Sequence, residues 1–159
     1  MSEGGMLARR RIEAEILGEV YTVLKQRHGV EEARAVIGAA CSASAIAQGK
    51  AFADTFDTAP DLTDMAAILP NWTKGGALEI DVLEASPERL DFNVTRCRYS
   101  EMYREMGLGE IGDLLSCNRD GDFCIGFNPN MTLERPQTIM KGADHCDFRY
   151  RIDGQDNAD

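Results

Sequence analysis

The chain has 159 residues, of which 43% are hydrophobic, and a formal net charge of −10 from 27 acidic and 17 basic side chains. This size suffices for one domain with a buried core, and no apolar run is long enough to span a membrane. An acidic surface repels phosphate backbones and anionic lipids, so we expect neither nucleic acid nor a membrane as a partner.

The N-terminus and the cysteines indicate the cellular compartment. Residues 1–11 end in three arginines and lack the apolar block and small-residue cleavage site of a secretory signal. The five cysteines are an odd number without close pairs, which suits reduced thiols better than a disulfide framework. We therefore expect a cytoplasmic protein.

The first half of the chain is predicted to be helical. Residues 6–28 carry the stripe of an amphipathic helix, and Gly29 ends it. Residues 30–54 form a second helix with a face of small side chains, which could pack closely within the chain or between two copies in a homo-oligomer. A third helix is predicted over residues 61–69, where Asp61 caps the start and Pro70 marks the end. The stripe of the first helix consists of Ile12, Ile16, Leu17, Val20, Tyr21 and Leu24.

The second half is predicted to contain a sheet. Residues 78–83 and 90–95 alternate apolar with polar side chains around a Ser-Pro-Glu turn, which predicts a hairpin. Residues 99–106 and 111–115 are helix-like, and residues 131–140 and 146–152 form a second extended pair around a turn at 141–144. The sum is an α+β fold, with N-terminal helices packed on an antiparallel sheet of about four strands. We expect one domain over residues 1–159, with a polar tail that frays from about residue 154.

Three of the cysteines are candidates for chemistry because each lies beside charged residues. These are Cys97, Cys117 and Cys146, whereas Cys41 and Cys124 are expected to be small buried hydrophobic residues. Neighbouring cations lower the pKa of a thiol and neighbouring carboxylates oppose that effect. The sequence therefore leaves open whether any of the three thiols is ionised.

Each candidate thiol has an acid or a base nearby. Asp120 follows Cys117 by three residues, so both side chains can reach one spot if the helical turn continues. Glu101 follows Cys97 by four residues on a predicted helix, and His145 precedes Cys146 and could carry a proton.

Arginines collect around these thiols and could form a positive pocket for a small carboxylate. Alternation along the last strand places Arg149 on the face of Asp147, opposite Cys146. Arg149 could pair with Asp147, or it could hold a substrate carboxylate in two parallel hydrogen bonds. The arginines of this region are Arg96, Arg98, Arg104, Arg119, Arg135, Arg149 and Arg151.

Zinc is an alternative ligand for the same groups. Cys97, Cys117, Cys146 and His145 are of the right chemical type, but structural zinc sites usually take ligands in pairs two to four residues apart. The only local pair here is His145 and Cys146, whose side chains point to opposite faces of a strand. We therefore expect no metal and no other cofactor. The sequence also lacks a phosphate-binding loop, a dinucleotide fingerprint and a serine nucleophile elbow.

The second half of the chain contains four motifs: RCRYSEMY at 96–103, LSCNRD at 115–120, GFNP at 126–129 and QTIMKGADHCDFRY at 137–150. Taken together and in this order, they resemble the L-2-amino-thiazoline-4-carboxylic acid hydrolase family. The resemblance is close over roughly residues 90–152 and looser in the helical first half. It implies an enzyme that opens a five-membered cyclic amidine and converts an aminothiazoline carboxylate to a carbamoyl-cysteine. Residues 138–152 also resemble the end of 4-vinyl reductase and TRAPP-subunit domains, which are α+β domains with a ligand pocket.

The sequence thus predicts a hydrolase that cleaves a C–N bond in a carboxylate-bearing cyclic amidine. Either the Cys117 thiolate attacks the ring carbon, or Asp120 or Asp147 activates a water molecule, and Asp120 or His145 moves protons. The alternative is a non-catalytic sensor domain that binds a small ligand or zinc. The predicted catalytic residues are Cys117, Asp120, His145 and Asp147, and the predicted substrate contacts are Arg149, Arg98, Cys97, Glu101, Thr138 and Cys146.

Overall fold

The computed structural model of the chain describes residues 5–153. The predicted polar tail from residue 154 therefore lies outside the described residues. The chain opens with two long helices, α1 (Gly5–His28) and α2 (Val30–Ala53), close to the predicted ranges. Gly29 joins them with φ of 90°, a left-handed conformation that glycine adopts without strain. Arg10 near the start of α1 hydrogen-bonds Gln48 near the end of α2, so the two helices form an antiparallel pair.

The face that α1 buries coincides only in part with the predicted stripe. Ile12 and Ile16 are 67% and 66% exposed, and Val20 is also exposed. The buried face instead includes the small residues Ala14 and Gly18, and a Cβ atom at Gly18 would lie 3.0 Å from the Leu108 side chain. Of the predicted stripe, Tyr21 is buried and Leu17 and Leu24 are partly buried. The buried residues of α1 are Arg10, Ala14, Gly18 and Tyr21.

The small-residue face of α2 receives a helix that was not predicted, α6 (Arg119–Phe127). The two backbones approach so closely that a Cβ atom at Gly126 would lie 2.0 Å from the Ile46 carbonyl oxygen. A Cβ at Gly49 would lie 2.2 Å from the Phe123 carbonyl oxygen. The prediction that this face of α2 admits a close neighbour is confirmed within the chain.

Several shorter helical segments follow the two long helices. Asp61 caps α3 (Leu62–Ile68) through a capping box with Asp64, as predicted. This helix ends before Pro70, also as predicted, but the proline begins a further short helix, α4 (Pro70–Thr73), because proline is tolerated in the first turn. A 3-10 turn (Lys74–Gly76) follows α4. Two later segments are α5 (Arg98–Glu105) and a π-helical turn (Asp113–Cys117), near the predicted helices 99–106 and 111–115.

The sheet contains four antiparallel strands in the order β1-β2-β4-β3. The predicted hairpin is confirmed, but the third strand ends well before residue 140. Pro136 cannot donate a hydrogen bond to a neighbouring strand, and a short 3-10 turn (Ile139–Lys141) follows it. The strands are β1 (Leu78–Ala85), β2 (Arg89–Cys97), β3 (Met131–Glu134) and β4 (Cys146–Ile152).

The two faces of the sheet differ in polarity. The inner face packs against the helices and the outer face carries the polar side chains, as the predicted alternation requires. The α+β fold, with helices packed on a four-stranded antiparallel sheet, is thus confirmed. None of the helices within residues 5–153 is both long and apolar enough to cross a membrane. The inner face presents Leu90, Phe92, Val94, Cys146, Phe148 and Tyr150.

Candidate functional site

A cavity of about 90 Å³ lies between the sheet and the helices. It opens at the junction of two apolar cores, one built on the inner face of the sheet and one among α1, α2 and α5. Aromatic side chains from both sides of this junction form much of its wall, namely Trp72, Phe92, Tyr99, Phe123, Phe148 and Tyr150. The space is sufficient for several water molecules or a small ligand.

An aspartate and an arginine form an ion pair on the cavity wall. Asp120 lies in the first turn of α6, and its Oδ2 accepts a hydrogen bond of 2.6 Å from Arg135 Nη1. Arg135 also donates to the Cys117 carbonyl oxygen at 2.8 Å and lies over the Phe148 ring, 5.0 Å from its centre. Within residues 5–153, no donor contacts Asp120 Oδ1. That oxygen can therefore accept a proton from a molecule in the cavity.

The surroundings of Asp120 make it more basic than an ordinary aspartate. Burial raises the pKa of this carboxyl group, and Arg135 only partly offsets the effect. At Arg135, burial acts to lower the pKa, but Asp120 outweighs it, so the guanidinium remains charged. The pair thus holds a carboxyl group that takes up a proton more readily than an exposed aspartate does.

Two further arginines line the same cavity and are almost fully buried. Arg10 and Arg119 are 3% and 5% exposed, and both donate to the amide oxygen of Gln48, at 3.2 and 3.1 Å. Arg10 also pairs with Glu13 at 3.0 Å, whereas Arg119 has no carboxylate partner within residues 5–153. With Arg135 and Asp120, the charged lining consists of three arginines and one carboxylate. The cavity therefore carries an excess of positive charge.

The three candidate thiols line this cavity, but their surroundings keep them protonated. Burial, reinforced by the charge of Asp120, raises the pKa of Cys117 to about 12. Burial also raises the pKa of Cys146 to about 11 and that of Cys97 above its ordinary value. Backbone amides donate to the sulfur atoms of Cys97 and Cys146, from Ser100 and Ile139. The sequence left open whether these thiols are ionised. In the structure, the pKa of all three thiols is raised.

Half of the residues predicted to act at the site do meet in the cavity. They come from four separate segments: the start of α5, the π-helical turn with α6, the loop before the 3-10 turn, and β4. Thr138 is buried there. Its hydroxyl accepts a hydrogen bond from the backbone amide of Lys141, and this bond caps the 3-10 turn. These residues are Cys97, Cys117, Asp120, Thr138 and Cys146.

The other five predicted residues do not line the cavity. Arg149 lies on the outer face of the sheet and donates to the carbonyl oxygens of Phe92 and Phe148 and to the side chain of Asn93. Asp147 shares that face, and it accepts from the Gln137 amide at 3.1 Å rather than from Arg149. The alternation that turns Cys146 inward necessarily turns both of these side chains outward.

Arg98, Glu101 and His145 have surface partners. Glu101 binds Arg96 at 3.0 Å, and the Arg98 side chain points to the Gly75 carbonyl oxygen. His145 Nδ1 lies 2.6 Å from Asp144 Oδ1. Within residues 5–153, no three His, Cys, Asp or Glu side chains come together in an arrangement that could hold a metal ion.

Three arginines and one glutamine of the cavity wall were not among the predicted site residues: Arg10, Arg119, Arg135 and Gln48. A partial signal existed for two of them, because Arg119 and Arg135 belong to the arginine cluster that predicted a positive pocket. Arg10 and Gln48 lie on helices about 70 to 110 residues earlier, and only the packing of α1 and α2 against α6 brings them to this site.

The chain belongs to the L-2-amino-thiazoline-4-carboxylic acid hydrolase family, whose pattern matches residues 9–150. The match spans the helical half as well as the four motifs, and it confirms the predicted resemblance. Among curated proteins, no sequence matches the chain.

Two solved structures share the fold. One is the phenol-responsive sensory domain of the transcription activator PoxR with phenol, at a TM-score of 0.56 and 14% identity, covering 86% of this chain and 73% of that chain. The other is a trafficking protein particle complex subunit 3 from Naegleria fowleri covalently bound to palmitic acid, at a TM-score of 0.55 and 10% identity, covering 92% of this chain and 96% of that one. The predicted likeness to TRAPP subunits is confirmed at the level of the fold.

Proposed function

We propose that this protein is a hydrolase that opens a carboxylate-bearing cyclic amidine, such as an aminothiazoline carboxylate, at a ring C–N bond. The observation that carries the proposal is the Asp120–Arg135 pair on the wall of a small cavity with excess positive charge. The name of the family supports the reaction class, and the positive excess suits an anionic substrate. The aromatic wall suits a flat ring.

Asp120 is the group best suited to activate water. Its Oδ1 is not occupied by a protein donor within residues 5–153, and its raised pKa makes the carboxylate a stronger base than an exposed aspartate. The amidine carbon, flanked by two nitrogens and a sulfur, becomes electrophilic when a ring nitrogen is protonated. As the water oxygen bonds to this carbon, Asp120 takes one proton from the water.

The adduct then collapses by cleavage of the ring C–N bond. Asp120 returns its proton to the ring nitrogen, and the hydroxyl proton of the adduct follows as the new carbonyl forms. Both hydrogens of the water end on the released amine, and the carbamoyl group stays on sulfur. Cleavage of the C–S bond from the same adduct would instead release a thiol and leave the carbamoyl group on nitrogen.

Covalent catalysis by Cys117 receives less support than attack by water. The nucleophile would be the thiolate, and a pKa of about 12 leaves on the order of one thiol in 10⁵ ionised at pH 7. Asp120 would have to deprotonate Cys117 while its own negative charge raises that pKa. We therefore assign Cys117 to the cavity wall.

The test is turnover of 2-amino-thiazoline-4-carboxylate by the purified protein, followed by loss of ring absorbance and by separate assays for amine and thiol. We expect ring opening with release of an amine, and weaker activity on the same ring without its carboxylate. Release of a thiol would contradict the C–N assignment. A panel of cyclic amidines, lactams and hydantoins that all remain intact would contradict the hydrolase.

A second candidate is a sensor domain that binds a small ring without converting it. The largely apolar wall of the cavity favours it, as does the likeness of the fold to a phenol-responsive sensory domain. A sensor would bind the cyclic carboxylate in calorimetry and return it unchanged after long incubation. Measuring zinc in the same preparation tests the zinc-binding form of this candidate.

A further inference from the structure

Arg119 is a buried cation that forms no ion pair within residues 5–153. Its side chain is 5% exposed, and its three acceptors are all neutral: the Cys41 carbonyl oxygen at 3.3 Å, the Ser44 hydroxyl at 3.4 Å and the Gln48 amide oxygen at 3.1 Å. Its Nε has no acceptor at all within residues 5–153. A buried charge is costly unless it is paired, so this arrangement lacks an anion.

Arg10 adds a second buried positive charge beside Arg119. It is as deeply buried as Arg119, lines the same cavity and donates to the same oxygen of Gln48. Its only carboxylate partner within residues 5–153 is Glu13, a residue 30% exposed that is not part of the cavity lining. Two guanidinium groups thus converge on one uncharged amide oxygen beside the cavity, where a ligand carboxylate could accept from both.

We propose that Arg119 and Arg10, held together by Gln48, form the subsite that binds the carboxylate of the substrate. This inference rests on the proposed function, because the carboxylate belongs to the substrate proposed there. Guanidinium groups bind carboxylates through parallel charge-assisted hydrogen bonds, and removal from water strengthens such bonds. The carboxylate would neutralise Arg119 and orient the ring toward Asp120, the next residue of α6.

The subsite also explains why Arg149 is not needed for this role. The guanidinium of Arg149 is already engaged by two carbonyl oxygens and the Asn93 side chain on the outer face of the sheet. Arg135 is engaged by Asp120. Among the arginines that line the cavity, Arg119 alone has no ion pair within residues 5–153.

The first test uses calorimetry to measure binding of a probe that lacks the amidine, 2-oxothiazolidine-4-carboxylate, and of its neutral 4-carboxamide, and the ring is checked to be intact afterwards. We expect the wild-type protein to bind the carboxylate more tightly. Arg119→Gln should weaken binding of the carboxylate by roughly tenfold to a hundredfold, the size of a lost buried charge-assisted hydrogen bond, and should leave the carboxamide unaffected. Arg96→Gln, which alters an exposed arginine with surface partners, is the matched control.

The second test places a carboxylate inside the protein. Gln48→Glu should pair with both arginines, raise the melting temperature and abolish binding of the carboxylate probe, because the subsite is then already neutralised. Gln26→Glu adds the same charge at an exposed position of α1 and should do neither. This variant keeps the proposal testable even if Arg119→Gln fails to fold.

The outcomes separate this inference from the proposed function. If Arg119→Gln and Gln48→Glu bind the carboxylate probe as tightly as the wild type does, the subsite is wrong, whether or not the ring opens. If the wild-type protein binds the probe through Arg119 but never opens a cyclic amidine, the subsite stands and the hydrolase is wrong. Equal affinity of the wild type for carboxylate and carboxamide overturns the subsite directly.

Discussion

Asp120 and Asp91 lie on opposite sides of the sheet, and each binds an arginine at close range. Asp120 faces the cavity and has one arginine partner, Arg135, at 2.6 Å. Asp91 lies on the outer face of β2 and has two, Arg151 at 2.5 Å and Arg89 at 3.1 Å. Burial acts to raise the pKa of both carboxyl groups. It prevails at Asp120, whereas hydrogen bonds from Arg151 and Arg89 outweigh it at Asp91 and lower the pKa.

The difference shows that an aspartate–arginine pair does not have a fixed role. Two donors on the outer face stabilise the charged form of Asp91, so the carboxylate is a poor base and serves to hold β2 against β4. At Asp120 a single arginine in a cavity offsets only part of the effect of burial, so the pKa of the carboxyl group stays raised. The number of donors and the access of solvent decide which aspartate can exchange protons with a ligand.

The largest expected effect is on turnover in Asp120→Asn. The amide cannot accept a proton from water, so we expect ring opening to fall by about 10² to 10⁴-fold, the usual contribution of a positioned general base. Steady-state kinetics of this variant and of Asp91→Asn check it, and Asp91→Asn should keep turnover near that of the wild type. In the wild type, kcat/KM should rise with pH through the raised pKa of Asp120.

Equal losses in the two variants would contradict the comparison, because they would mean that unfolding rather than base catalysis removes activity. Circular dichroism of both variants separates these explanations.

The next effect concerns the position of α6, which carries Asp120. In Gly126→Ala the new methyl group would meet the backbone of α2, which cannot move aside as a side chain can. We expect a loss of about 3 kcal/mol or more in the free energy of unfolding, at the upper end of the cost of overpacking. Urea denaturation measures it.

Gly121→Ala is the matched control in the same helix. No atom lies within 4 Å of the added Cβ at Gly121, so the variant should gain up to about 1 kcal/mol from helix propensity. Similar losses in both glycine variants would contradict this interpretation, because Gly121→Ala meets no neighbouring atom and the cost at Gly126 could then not be assigned to the close approach of α2.

The sequence correctly predicted those elements whose residue pattern is local. The hairpin and the last strand show alternation of apolar and polar side chains within each strand, and the helix after Asp61 carries its own capping residue. The same logic brought Cys117 and Asp120 to one cavity, because a three-residue helical spacing suffices. It succeeded only in part for α1, where Tyr21 of the predicted stripe is buried while Ile12 and Ile16 are exposed.

The features that the sequence did not predict depend on contacts between residues that are distant in sequence. Gly121, Gly126 and two aspartates give α6 a low helix propensity, yet Gly126 is there because only glycine permits the contact with α2. Arg149 was predicted to hold the substrate because its chemistry fits, but the sequence cannot show which face of the sheet has the cavity. Arg10 and Gln48 carry no local signal for a site at all.

A smaller effect is expected on stability from Asp91→Asn. Losing a carboxylate bound by two partly exposed arginines should cost about 1 to 2 kcal/mol at neutral pH. A lowered pKa means that this contribution is present above the unfolded value, about pH 4, and is lost as the pH falls through the folded value. The free energies of unfolding of wild type and variant, measured by denaturation, should therefore differ at pH 7, and the difference should shrink below pH 4. A difference that is constant with pH would mean that Asp91 contributes through packing and not through its charge.

The smallest effect is expected at Cys117, whose thiol lies beside Asp120 but stays protonated. Cys117→Ala and Cys117→Ser should each lower turnover by less than about tenfold, since in the proposed mechanism a water molecule attacks the ring and the thiol only shapes the wall. Kinetics of both variants, with intact-mass analysis of wild type mixed rapidly with substrate, check this. A covalent adduct on Cys117, or a loss in Cys117→Ser as large as that in Asp120→Asn, would mean that Asp120 acts on the thiol. In that case the raised pKa of Asp120 would serve to deprotonate a neighbour and not water.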